Sequence, residues 1–408
     1  MKNETPTREA TGSQAERSAA DTGNVAGGKH WVGTWATAPA PAEGAAFSNQ
    51  TLRMNARISI GGDTLRVRFS NAYGARPLPI GAARIGVRKD GPAIVAETDR
   101  ALTFGGEASA IIAAGALLLS DPVDLRVAPL TDLAVTCWLP ADLPAGFGIT
   151  GRYARQTNYI SPPGDFSTEA VMPVGRITDD WFFISGIDVL APAQTGGIVA
   201  LGDSLTDANI STHDAFCRWP DQLARRLVTR GARAMGVMNQ GLGGNRILHD
   251  IRGDSGLRRF DRDVLAQPGV THVIVLLGTN DLRNRWAKPE EEATAEQMIA
   301  GLKQMALRAQ ARGIRFFGGT LTPFENETFL VGAWTPAREA VRQSVNAWIR
   351  EGGAFDAVID FDEGVRDPGH PVRMLPAYDC GDHLHPSDAG YNRMGDIIDL
   401  TLFDPAPT

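Results

Sequence analysis

Cysteine is scarce: Cys137, Cys217 and Cys380 are the only three in 408 residues, so at most one internal bridge can form and a disulfide scaffold is excluded. No Cys-x-x-C pair occurs, which removes the usual signature of a structural zinc site. The longest strongly apolar run, from Ala110 to Leu119, is about half of the roughly 20 residues a membrane-spanning helix needs. Positive charge is also short. Lys and Arg number 40 against 47 Asp and Glu, a net charge of −7, without the basic excess that binding to a phosphate backbone draws on. No nucleic-acid partner is expected. Residues 1–28 lack aromatics and hold too little apolar surface to offset the entropy of ordering, which predicts a disordered tail. They also lack the apolar core of a signal peptide. The chain as given therefore reads as cytoplasmic, or as secreted or periplasmic with its signal removed.

What is present divides in two. Over residues 29–190 short β-branched and apolar runs alternate with turn signals. Thr51 to Ile60, a turn at Gly61-Gly62-Asp63 and Leu65 to Phe69 predict a hairpin. Ala83 to Val87, Ile111 to Leu119, Leu133 to Leu139 and Trp181 to Val189 continue the series, as an antiparallel β-sandwich would. Residues 191–197 read as a linker. From 198 to 408 strands and helices alternate: Ile198 to Leu201, a helix from Pro220 stopped by Gly231, Val273 to Leu277, and a long helix opened by Pro289 and three glutamates. Ile314 to Gly318, a helix through Trp348, Ala357 to Phe361 and a helix near 389–402 follow. This predicts a three-layer α/β domain with a mostly parallel sheet.

In open α/β sheets the ligand crevice lies at the carboxyl ends of the strands. Gly202-Asp203-Ser204-Leu205, Asn239 to Asn245 with its glycines, and Gly278-Thr279-Asn280-Asp281 all fall there. Gly381-Asp382-His383-Leu384-His385 precedes the last helix. A serine hydroxyl needs a base to take its proton, and the base needs a third group to hold its tautomer. Of seven histidines only His383 and His385 closely follow an acid, Asp382. The direct neighbour His383 would be strained against that carboxylate, whereas a turn folds His385 back onto it. His385 is thus the candidate base, Asp382 its orienter, and His383 a packing or hydrogen-bonding residue. An oxyanion needs fixed donors, for which the N–H groups of Ser204 and Gly244 and the Asn280 amide are candidates. Rival motifs fail. Arg246 replaces the third glycine of a dinucleotide loop, and Thr206 replaces the third glycine of a Gly-x-Ser-x-Gly elbow. The cluster Asp379, Asp382, His383 and His385 could hold a metal, but would leave the Ser, Gly and Asn segments unexplained.

In order, these four segments resemble the SGNH or GDSL superfamily of esterases and lipases, over roughly Ile198 to Leu402. The resemblance implies a flavodoxin-like three-layer α/β hydrolase domain with Ser204, Gly244, Asn280 and His385 as the four namesake residues and Asp382 as triad acid. Trp31-Val-Gly-Thr-Trp35-Ala and Leu78-Pro-Ile-Gly-Ala-Ala83 look like the β-rich, jelly-roll-like extension of a two-domain bacterial branch. The expected function is a serine-dependent carboxylic-ester hydrolase with no metal or organic cofactor, acting on short acyl esters of saccharides or similar polar alcohols. Short-chain lipid or aryl esters, and acyl transfer to an alcohol, use the same residues. A carbohydrate-binding module with a vestigial site is the expectation from another class.

Overall fold

The computed structural model describes residues 24–25, 28–41, 46–208, 210–283, 289–329 and 333–404. Most of the tail expected over 1–28 lies outside them, although Asn24 and Val25 pair antiparallel with His30 and Lys29.

The N-terminal half is built from two larger antiparallel sheets. One contains Lys29–Ala36, Ile184–Pro192, Gly62–Ser70 and Val123–Val127; the other contains Asn158–Pro163, Phe47–Arg57, Asp132–Leu143 and Ala82–Val87. Alternate residues such as Leu65, Val67 and Phe69 turn inward, as period-two strands with one covered face require. They share a core with Leu52, Met54, Leu133, Val135 and Ile187.

Two local expectations are corrected. Phe47–Arg57 and Gly62–Ser70 do not form a hairpin: the first pairs with Asp132–Leu143, the second with Ile184–Pro192. The Gly61-Gly62 turn therefore carries the chain from one sheet to the other. The residues leading into it, Ile58 to Ile60, are buried, and their backbone is satisfied by Thr34, whose Oγ1 accepts from Ile60 N–H at 2.9 Å and whose O accepts from Ser59 N–H at 2.9 Å. Residues 111–119 likewise split into Ala110–Ile112 and Leu117–Leu119, in different sheets, parted by a turn in which Gly115 takes φ +76°.

The second half carries five parallel strands, β1 Gly196–Gly202, β2 Met235–Gly241, β3 Val270–Leu276, β4 Arg315–Gly319 and β5 Ala357–Ile359, in the order 2-1-3-4-5. That is the flavodoxin-like order. Its central strands are covered on both faces, which is why Ile198 to Leu201 and Val273 to Leu276 are continuous apolar runs. Helix Trp219–Arg230 packs on Asp388–Asp396, and Ala295–Gln310 on Pro336–Glu351. The long helix does not start at Pro289. A 3₁₀ turn occupies Pro289–Glu291, and the helix begins at Ala295, where Thr294 and Gln297 form a reciprocal capping box that satisfies two free N–H groups. No helix among the described residues is long and apolar enough to cross a membrane.

Residues 191–197 are divided between the end of Ile184–Pro192, a short turn and the start of β1, with Thr195, Gly196 and Gly197 buried. The two halves interlock beside them. Ser59 Oγ accepts from Val237 N–H at 2.8 Å, and Gly33 N–H donates to Pro268 O at 2.9 Å. The backbones of Gly33 and Gly236 meet so closely that a Cβ on Gly236 would stand 2.1 Å from Gly33 O.

Candidate active site

Three connections leave the carboxyl ends of β1, β2 and β3, and in the 2-1-3 arrangement the order of the strands reverses between β1 and β3. The crevice of such a sheet opens at that reversal. Ser204 follows β1 as the first residue of the short helix Ser204–Asp207, whose N-cap Asp203 accepts from Leu205 N–H at 3.0 Å. A first-turn residue has no intrahelical acceptor for its N–H, so the Ser204 N–H remains available beside its own hydroxyl.

Ser204 Oγ lies 2.9 Å from His385 Nε2, and His385 Nδ1 lies 2.6 Å from Asp382 Oδ2. A tight turn makes the second contact: Asp382 Oδ1 accepts the N–H groups of Leu384 at 2.9 Å and His385 at 2.7 Å. Burial alone would raise the Asp382 carboxyl, but the hydrogen bonds and charge of His385 outweigh it and hold it well below the usual carboxylate range. An ionised acceptor at Nδ1 places the ring proton there and leaves the Nε2 lone pair facing the serine. His383 turns elsewhere. It takes φ +62° and its Nδ1 meets Asp379 Oδ2 at 2.6 Å, with its side chain half exposed.

Both adjacent glycines of the loop after β2 line the cavity that Ser204, Asn280 and His385 share; Gly243 N–H also turns to the Asp207 carboxylate, and Gly244 takes φ +81°. Asn280 is buried, and its amide orientation is set by chemistry. Nδ2 donates at 3.1 Å to Asp203 Oδ2 and at 3.1 Å to Asn245 O, while Oδ1 accepts from Arg283 Nη1 at 3.0 Å. A carboxylate and a carbonyl only accept and a guanidinium only donates, so the flipped amide would face three mismatches. Asp281 ties the loops after β2 and β3 together by accepting the N–H groups of Ile247 at 2.8 Å and Leu248 at 3.2 Å. Ser204, Gly244, Asn280 and His385 thus line one cavity, with Asp382 paired to His385. The thiols do not bridge: Cys137, Cys217 and Cys380 are all free.

The cavity measures about 250 Å³ and is walled further by Tyr153, Ile210, Arg252, Arg283 and Phe329. Sequence reasoning missed all five, and also Glu327, which grips Arg283 through two contacts of 2.9 Å. Arg283 ends the helix that holds Asn280 and was adjacent to a recognised segment. Tyr153 comes from the N-terminal half at φ +57°, an unfavourable conformation for a side-chain-bearing residue that often marks a functional position. Phe329 sets its ring edge-on to His385, 5.9 Å between centroids.

Burial pushes three carboxyls beneath the site upward: Asp203 to about 6, and Asp207 and Asp281 to about 7. Asp207 feels Arg218, Arg259, Asp179 and the Gly243 N–H, yet burial dominates. Between an unfolded value of about 3.9 and its raised folded value, the folded state holds the extra proton, so this group's contribution to stability falls as pH rises through that window. Asp207→Asn removes the titration while keeping an oxygen for Gly243. The melting-temperature difference, variant minus wild type, should shift in the variant's favour by a few degrees between about pH 4 and pH 7.5. A difference that does not change with pH would contradict the assignment.

A serine hydroxyl paired with a histidine that is itself paired with a carboxylate, beside N–H groups at the switch point of a parallel sheet, matches the requirements of serine acyl transfer. Residues 200–393 match the model of the GDSL-like lipase/acylhydrolase family. The matched segment follows an antiparallel β-rich region, and the match supports a hydrolase of ester bonds. Similar solved structures include a GDSL-like lipase from Bacteroides thetaiotaomicron, at 19% identity and TM-score 0.35, covering 49% of this chain and 84% of that one. A catalytic mutant of an acetylxylan esterase from Geobacillus stearothermophilus is similar at 19% identity and TM-score 0.38, covering 50% and 91%. Comparison with curated proteins gives no match.

Proposed function

We propose that the protein is a serine-dependent carboxylic-ester hydrolase that acts through an acyl-enzyme on short acyl esters of polar alcohols, acetylated saccharides first among them. The carrying observation is the relay Ser204 Oγ to His385 Nε2 at 2.9 Å and His385 Nδ1 to Asp382 Oδ2 at 2.6 Å. Ser204 Oγ attacks the ester carbonyl as its proton passes to Nε2, and Asp382 stabilises the resulting imidazolium. The carbonyl oxygen gains charge and is met by the N–H groups of Ser204 and Gly244 and the Asn280 amide. Collapse breaks the bond to the alkoxy oxygen, which leaves with the Nε2 proton as the alcohol. Water gives a proton to the same nitrogen, attacks the acyl-enzyme and releases the acid, and the proton returns to Oγ.

The size and walls of the cavity support this choice of substrate class. About 250 Å³ suits a short acyl group, while the exposed rings of Tyr153 and Phe329 offer apolar faces to the C–H surface of a sugar. Kinetics on p-nitrophenyl esters of rising chain length, run beside acetylated oligosaccharides, test this. kcat/KM should be highest for acetyl and fall beyond butyryl, with acetylated oligosaccharides turned over. A maximum at long chains would replace this reading with a lipase, and product retained on an added alcohol acceptor would replace hydrolysis with acyl transfer.

A further inference from the structure

We infer that Arg283 and Glu327 are positioning residues for the oxyanion site, setting the Asn280 amide in its donating orientation; the inference rests on the ester-hydrolase reading above. The pair is deeply buried, with side-chain exposures of 3% and 0%. Glu327 takes Arg283 Nε on one oxygen and Nη2 on the other, both at 2.9 Å. This fork leaves Nη1 aimed at Asn280 Oδ1, 3.0 Å away. A guanidinium held bidentately is fixed in plane and in rotation, so the direction of its remaining donor is fixed as well. That donor selects the Oδ1 side of the amide and sends Nδ2 toward Asp203, Asn245 and the cavity.

Burial makes a purely stabilising role a poor account of the pair. Two desolvated charges recover little more than an apolar pair of similar volume would supply, whereas what they do supply is a defined geometry. The acid comes from a segment that also serves the other half of the site: Thr328 N–H donates to Asp382 O at 2.9 Å, and the Phe329 ring meets the His385 ring edge-on. Residues 327–329 therefore bear on the oxyanion amide, the orienting acid and the base at once. Both hydrogens of Asn280 Nδ2 are engaged at 3.1 Å in the resting site. Donation to an oxyanion requires sharing one of them, which succeeds only while Oδ1 stays anchored.

The test is a set of double-mutant cycles with acetyl-ester turnover as the readout. Arg283→Gln leaves Glu327 buried without its partner and can cost folding, so the charge-free pair Arg283→Met with Glu327→Leu is made alongside it. Either should lower kcat by on the order of 10²-fold, the loss expected from displacing a group near the chemistry, with KM within a small factor of wild type. Asn280→Ala alone should lower kcat by roughly 10² to 10³-fold. Introduced into Asn280→Ala, the Arg283 and Glu327 changes should have little further effect, because the amide they orient is gone. Multiplication of the two losses, or an unchanged kcat in a folded charge-free variant, overturns the inference. Full activity in Ser204→Ala would instead overturn the reading beneath it, whatever the Arg283 variants do.

Discussion

Ser204→Ala should lower kcat by on the order of 10⁴ to 10⁶-fold, the usual loss when the nucleophile of a serine hydrolase is removed, and leave the fold intact. In the proposed reaction the hydroxyl oxygen enters the acyl-enzyme, and no other serine or threonine is paired with His385 among the described residues. Structurally its loss is small. The substitution deletes one oxygen whose hydrogen bond is to His385 Nε2, a contact worth about 1 kcal/mol net. The helix start is untouched, because the cap comes from Asp203 and not from Ser204. A melting temperature within a few degrees of wild type, combined with the loss of turnover and of labelling by an organophosphonate, is the expected set of results. Turnover above about a hundredth of wild type would require another nucleophile.

The segments that carried the sequence reading are local. Asp203 caps the helix it precedes, and the turn from Asp382 to His385 closes on itself through contacts three residues apart. Such features repeat wherever the same residues occur at the same spacing, so they could be seen without the fold. The parallel sheet was legible for a similar reason, since strands covered on both faces must be apolar throughout. What failed was pairing. Gly61-Gly62-Asp63 signals a turn, but nothing in a turn states whether the next strand joins the same sheet or the opposite one, and here it crosses. The start of the long helix was misplaced because Pro289 and its glutamates are an N-terminal signature, yet Thr294 with Gln297 satisfies the backbone better. Arg283 meets an acid 44 residues away, and Tyr153 reaches the cavity from the other half of the chain. Neither leaves a periodicity or a spacing to read.

A fragment beginning at Gly196 should lose soluble, cooperatively folded protein, and the reason lies in the contacts that it abandons. Ala36 sits in the core of the α/β half, and Leu242 sits in the core of the β-rich half, so each hydrophobic cluster is closed by a residue from the other. Removing the first half would bare the surface around Val237 and Met238 and leave the Val237 N–H without the Ser59 hydroxyl. Polar ties go with it. Arg68 Nη1 reaches Gln267 Oε1 at 2.6 Å, Tyr73 Oη donates to Asp254 Oδ2 at 2.8 Å, Arg155 Nε donates to Ser211 O at 2.6 Å, and the Arg57 guanidinium lies 3.5 Å over the Phe216 ring. Newly exposed apolar surface favours association, so aggregation, a broad melting transition and binding of a hydrophobic dye are expected together. The fragment would also lack Tyr153, and with it one wall of the cavity. A soluble fragment with a sharp transition would show that the α/β half folds alone. If that fragment then hydrolysed p-nitrophenyl acetate but not acetylated oligosaccharides, the β-rich half would be acting on the alcohol side of the substrate, through Tyr153. Equal turnover of both esters would leave it no part in recognition.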